Sequence, residues 1–156
     1  MSPDGKQVAL TLSRDGNSEI YKMNTDGTAL KRLTNEWAID SSPTWSPNGK
    51  RIAFVSSRWG DPHIFVMNSD GSGVKRLTDR GTYNQTPDWS PKGDLIAFTA
   101  RDERNKFDIF TVNPDTKEIR RLTQDEGNNE EPSFSPDGNH IVFTSRREGK
   151  SQVWIM

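Results

Sequence analysis

The chain reads as an all-β protein, a β-propeller, and three observations that keep one phase predict it. The tetrad Ser-Pro-x-Gly occurs at Ser2–Gly5, Ser46–Gly49, Ser90–Gly93 and Ser135–Gly138, with its serines 44, 44 and 45 residues apart. An aromatic keeps the same step at Tyr21, Phe65, Phe110 and Trp154, and so do Leu33-Thr34, Leu77-Thr78 and Leu122-Thr123, each pair preceded by arginine. Periods of ~20–50 residues belong to solenoids, propellers and arrays, and one with several short strands per unit is a propeller blade. Helices are not expected, because no stretch keeps apolar residues at helical spacing for more than a turn.

The unit from Pro43 to Arg80 shows how each element arises. Thr44-Trp45 ends an inner strand A, and Ser46-Pro47-Asn48-Gly49 turns the chain because proline presets φ and glycine tolerates the positive φ that closes a hairpin. Arg51–Val55 runs back as strand B, and the Arg58-Trp59-Gly60-Asp61 loop leads to Ile64-Phe65-Val66-Met67. That run is apolar on both faces, as a strand C sandwiched between two blades must be. Asn68-Ser69-Asp70-Gly71 makes the next turn, and Val74–Thr78 is a thin rim strand D whose lysine and arginine oppose edge-to-edge pairing. Carried along the chain, the pattern is B-C-D, A-B-C-D twice, then A-B-C, giving 14 strands in units of approximately 1–36, 37–80, 81–125 and 126–156. This is a partial ring of about four blades, two of them incomplete. Both ends fall within a repeat, so the sequence predicts a piece of a longer propeller or a chain that associates with a second copy. Uncovered blade faces carrying Ile20, Tyr21, Val153 and Trp154 are expected to drive self-association or loosen the fold.

Composition narrows the partners. Formal charge is −1 with 28% charged residues of both signs, so no net field favours nucleic acid or an anionic membrane surface. No apolar run approaches the ~18 residues that cross a membrane, so no membrane insertion is expected. The absence of cysteine excludes disulfides, zinc–thiolate sites and a thiol nucleophile. Met1 precedes Ser2-Pro3-Asp4-Gly5 directly, so no signal peptide is expected within these residues.

Enzymatic motifs fare badly, and the chain reads as non-enzymatic. No G-x-S-x-G nucleophile elbow occurs, and Gly149-Lys150-Ser151 has Thr144 where a phosphate loop needs glycine. His63 and His140 lie at different phases of different repeats, which predicts neither a shared metal nor a triad. Asn24-Thr25-Asp26-Gly27 and Asn68-Ser69-Asp70-Gly71 resemble half a calcium loop, but they lack the closing glutamate and are explained as Asx-Gly turns. No cofactor or metal is expected.

Two loop sets carry the informative variation. Arg14, Arg58, Arg101 and Arg146 open the B–C loops, followed within three residues by Asp15, Asp61, Asp102 and Glu148. Each guanidinium either braces its loop against the adjoining D–A loop or belongs to a binding face. The D–A loops keep one length, yet Ile39-Asp40-Ser41-Ser42 aligns with Tyr83-Asn84-Gln85-Thr86 and Asn128-Asn129-Glu130-Glu131. Framework residues repeat because each blade needs them, whereas loop residues free to diverge can carry recognition. D–A and B–C loops emerge on one face of a propeller, so the candidate protein-binding residues are Arg14, Trp37, Asp40, Arg58, Trp59, Tyr83, Asn84, Arg101, Asn129, Glu130 and Arg146. Trp37 and Trp59 are either exposed anchors there or packed on a neighbouring blade.

From Trp45 to Thr78 the chain spells W-S-P-N-G-K-R-I-A-F-V-S-S-R and then I-F-V-M-N-S-D-G and R-L-T, and Ser13–Asn17 with Glu19-Ile20-Tyr21 echo it. This unit resembles the propeller repeat of the TolB family over essentially the whole chain. The resemblance implies a periplasmic, non-enzymatic scaffold of the Tol–Pal envelope system that acts in cell division and binds the peptidoglycan-associated lipoprotein and other Tol proteins. Related blades occur in prolyl-oligopeptidase-like and tricorn-like serine peptidases, so the alternative is a propeller that gates substrate into a catalytic domain.

Overall fold

The computed structural model describes residues 1–14, 16–124 and 127–156, and its strands form four antiparallel sheets. The first sheet holds β1 (Gln7–Leu12), β2 (Glu19–Asn24) and β3 (Lys31–Arg32); the second holds β4 (Asp40–Trp45), β5 (Arg51–Ser56), β6 (His63–Asn68) and β7 (Lys75–Arg76). The third holds β8 (Thr82–Trp89), β9 (Ile96–Arg101), β10 (Phe107–Val112) and β11 (Ile119–Arg121), and the fourth β12 (Asn129–Phe134), β13 (Ile141–Ser145) and β14 (Gln152–Ile155). Among the described residues there are thus fourteen strands and no helix, in the 3, 4, 4, 3 arrangement expected for a partial propeller.

The A–B turns show why the tetrad repeats. Ser46 Oγ donates to Asn48 Oδ1 at 2.8 Å and accepts from the Arg51 amide at 2.9 Å, while the Gly49 amide closes the turn on Ser46 O at 2.9 Å. Ser2 makes the same bonds to Asp4 and Gln7. In the last copy, hydrogen bonds from Ser135 and Asn139 hold the Asp137 carboxyl down to about 2. The glycine does double duty, since at Gly138 φ is 66° and an added Cβ would stand 3.1 Å from Pro91 of the preceding turn. A β-bulge interrupts each A strand beside Ser42, Thr86 and Glu131, which adopt φ of 53°, 49° and 56° just before a proline.

Alternation along β5 and β6 sends side chains to both neighbours. Ile52, Phe54, Phe65 and Met67 pack with Ile20 of the first sheet, whereas Ala53, Val55, Ile64 and Val66 join Trp89, Ile96 and Phe98 of the third. Ile20 and Tyr21 are both buried, which corrects the expectation that they lie on an uncovered face; Ile20 occupies the column of Ile64 and meets the next blade. The fourth sheet differs. Val142 and Ile155 pair across it, as do Thr144 and Val153, in the registers of Ala53–Val66 and Val55–Ile64, yet Val153 is 79% exposed and Ile155 64%.

Candidate functional site

Beneath the D–A and B–C loops the same hydrogen-bonded frame recurs at each blade junction. Thr34 Oγ1 accepts from the Ile20 amide at 2.9 Å and donates to Glu19 Oε2 at 2.5 Å. Arg32 donates from Nε to Thr34 O and from Nη2 to Glu19 Oε1, both at 2.8 Å. At the third blade Arg121, Thr123 and Asp108 repeat this, and the Asn129 amide donates to Asp108 Oδ1 at 3.0 Å. The second blade substitutes His63 for the acid. Its Nε2 lies 2.7 Å from Arg76 Nη2, its Nδ1 lies 3.1 Å from Thr78 Oγ1, and the Asn84 amide stands 3.0 Å from that Nδ1. A guanidinium can only donate, so Nε2 is the acceptor; the ring is neutral and its Nδ1–H donates to Thr78 Oγ1, not to the Asn84 amide nitrogen, itself a donor to Pro62 O. Burial, and then the Arg76 charge, lower the His63 pKa from its ordinary value.

Arg58 is a strut between loops. Its Nε donates to Ser56 Oγ at 2.8 Å, Nη2 reaches Asp40 at 2.8 Å and Nη1 reaches Glu36 at 3.3 Å, while the guanidinium covers Phe54 and Phe65. Burial raises the Asp40 pKa, the nearby Glu19 adds to that, and Arg58 opposes it. The counterpart of Arg58 in the fourth blade is Arg147, bonded to Ser145 and Asn129 and stacked on Phe143 and Trp154. Arg146, expected in that role, is exposed. Arg101 stands one position earlier in its repeat, with its guanidinium 5.2 Å from the Tyr83 ring and 4.9 Å from Phe107. Arg14 is exposed, and Asp15 lies outside the described residues.

Exposure divides the candidate face. Asp40, Asn84 and Asn129 are wholly buried in the frame, which corrects their expected place on the surface: Asp40 and Asn129 open their A strands, Asn84 is the third residue of β8, and all three turn under the loops. Trp37 is 80% exposed, Trp59 66% and Tyr83 43%, and Glu130 is half-buried. Trp59 leans on Phe65 of its own blade at 5.4 Å, and Tyr83 meets Phe107 edge-on at 6.1 Å. Between the second and third blades a groove of about 250 Å³ is lined by Ile39, Ser41, Val55, Pro62, Tyr83 and Thr86 among others. It opens where the repeat breaks. The Thr11 and Thr99 hydroxyl oxygens accept from the Ser42 and Glu131 amides, but Val55 fills that column beneath Thr86 and has no oxygen to offer. Sequence reasoning missed the Arg32, Arg76 and Arg121 column and its partners Glu19, His63 and Asp108; the arginine before each Leu-Thr pair was the available signal.

Among the described residues no group of three or more histidines and carboxylates could hold a metal ion, and no helix is long and apolar enough to cross a membrane. Braced sheets that present divergent aromatic loops on one face define a class, the repeat propellers. The chain belongs to the TolB family: the model of the TolB beta propeller domain matches residues 1–118 and 100–156. The Tol-Pal system protein TolB of Anaeromyxobacter dehalogenans (strain 2CP-C) is 56% identical over 44 residues, which is 28% of this chain and 10% of that protein. The crystal structure of TolB from Acinetobacter baumannii matches all of this chain with a TM-score of 0.86 and 33% identity, over 39% of its own length. The chain thus spans well under half of these relatives. Puromycin hydrolase matches 93% of this chain and 24% of its own at a TM-score of 0.74 and 15% identity, a likeness that shows the fold alone.

Proposed function

We propose that the chain is a non-enzymatic protein-binding scaffold of the TolB kind, taking a folded partner or extended peptide on its D–A and B–C loop face. The observation that carries this reading is the contrast between a repeated buried frame and the aromatic residues it holds out to solvent, Trp37, Trp59 and Tyr83. Aromatic anchors ringed by polar groups are the usual hot spots of an interface. By relation to TolB the partner is the peptidoglycan-associated lipoprotein and the setting is the periplasm. A gating propeller of a serine peptidase is the alternative, and an adjoining α/β segment with a nucleophile elbow would mark it.

Calorimetric titration with the lipoprotein tests the reading. Trp37→Ala and Tyr83→Ala should each weaken binding by about 1–2 kcal/mol or more, whereas Asn48→Ala and Asp70→Ala on the opposite face should leave it intact. The reverse pattern would assign recognition to the wrong face.

A further inference from the structure

The guanidinium column is satisfied unequally. Arg32 pairs with Glu19, and Arg121 pairs with Asp108 and Asp102, but Arg76 faces the neutral ring of His63, and among the described residues no carboxylate forms an ion pair with it. The other acidic positions of the frame supply no acid to Arg76 either. Asn84 stands where Asp40 stands one blade earlier, and Arg58 occupies the column of Asp102 but turns away to Asp40 and Glu36. Exposed Asp61 and Asp79 influence His63 without reaching Arg76. Meanwhile Arg76 is only half-buried, and the exposed Trp59 ring lies 5.6 Å from its guanidinium carbon. Nε and one Nη2 proton are engaged with Thr78 O and His63, and among the described residues no hydrogen bond uses Nη1. A half-desolvated cation without a counter-charge is costly to hold.

We propose that Arg76, screened by Trp59, is a docking point for a carboxylate presented by the partner, an acidic side chain or a chain terminus. The assignment rests on the reading of this loop face as the recognition surface. It selects carboxylate over phosphate because the equivalent guanidinium is already paired with a protein carboxylate in the blades on either side, each time through Nη2. The partner would supply in trans what Glu19 and Asp108 supply in cis.

The frame itself provides the test. His63→Glu restores the acid found in the flanking blades, so it should neutralise Arg76 while keeping the fold. N-acetylglutamate amide is titrated into the chain while the His63 ring and Arg76 Nε–H resonances are followed by NMR, with the methyl ester of the probe as control. The expected result is a saturable shift with the acid, none with the ester, and its loss in His63→Glu. The lipoprotein should also bind His63→Glu at least about tenfold more weakly. No saturable shift, the same shift in His63→Glu, or a stronger response to inorganic phosphate would overturn the proposal. If the small carboxylate docks but the lipoprotein does not bind the native chain, the docking point stands and the proposed partner falls. If the lipoprotein binds and His63→Glu makes no difference, the docking point falls alone.

Discussion

His63 links one residue to the stability of a whole junction. Its Nε2 accepts from Arg76, so protonation would set two donors against each other in a buried site. The folded ring has a lowered pKa and the unfolded ring an ordinary one near 6.5, so below that value the unfolded chain takes up the proton first. The contribution is complete above about pH 6.5 and is lost as the pH falls toward the lowered folded value. Urea unfolding should therefore show stability declining between about pH 7 and 5, with a shallower decline in His63→Gln. A mutant with an undiminished slope would contradict the assigned protonation state. Arg58→Lys, probed in the same way at neutral pH, should cost about 1–3 kcal/mol, because an ammonium cannot reach Ser56, Asp40 and Glu36 together.

At the scale of the element, what repeats was legible and what substitutes was not. Strand C was visible as a run apolar on both faces, and β6 is buried from His63 to Met67. The tetrads were visible because each serine, proline and glycine is needed locally, by hydrogen bond, preset φ or positive φ. The frame under the loops was hidden because its position recurs while its identity does not, Glu19 giving way to His63 and then Asp108. The arginines misled through phase. Arg58 lies two residues past Ser56, and Arg147 two past Ser145, whereas Arg101 directly follows Ala100 and Arg146 directly follows Ser145. Counting from the strand ends would have separated them. The turns give an element-scale prediction. Gly5→Ala and Gly138→Ala share a positive φ, but only the second places a methyl against Pro91. Thermal unfolding should show Gly5→Ala losing about 1 kcal/mol and Gly138→Ala about 1 kcal/mol or more beyond that.

For the whole molecule, each blade uses one apolar face against the blade before it and one against the blade after. Val142, Val153 and Ile155 are the following-side face of the fourth sheet, and there they meet solvent. Sedimentation should show concentration-dependent association of the chain, reduced in a Val153→Lys, Ile155→Lys double variant. Equal association by that variant would show that this face is not what joins the copies. The central claim, that the D–A and B–C loops form the recognition face, is tested most directly by hydrogen exchange with and without the peptidoglycan-associated lipoprotein. Amides of residues 36–42, 57–62 and 79–86 should gain protection on binding, while the turns at 46–49 and 68–71 keep their free rates. Protection confined to those turns, with the loops unchanged, would contradict it.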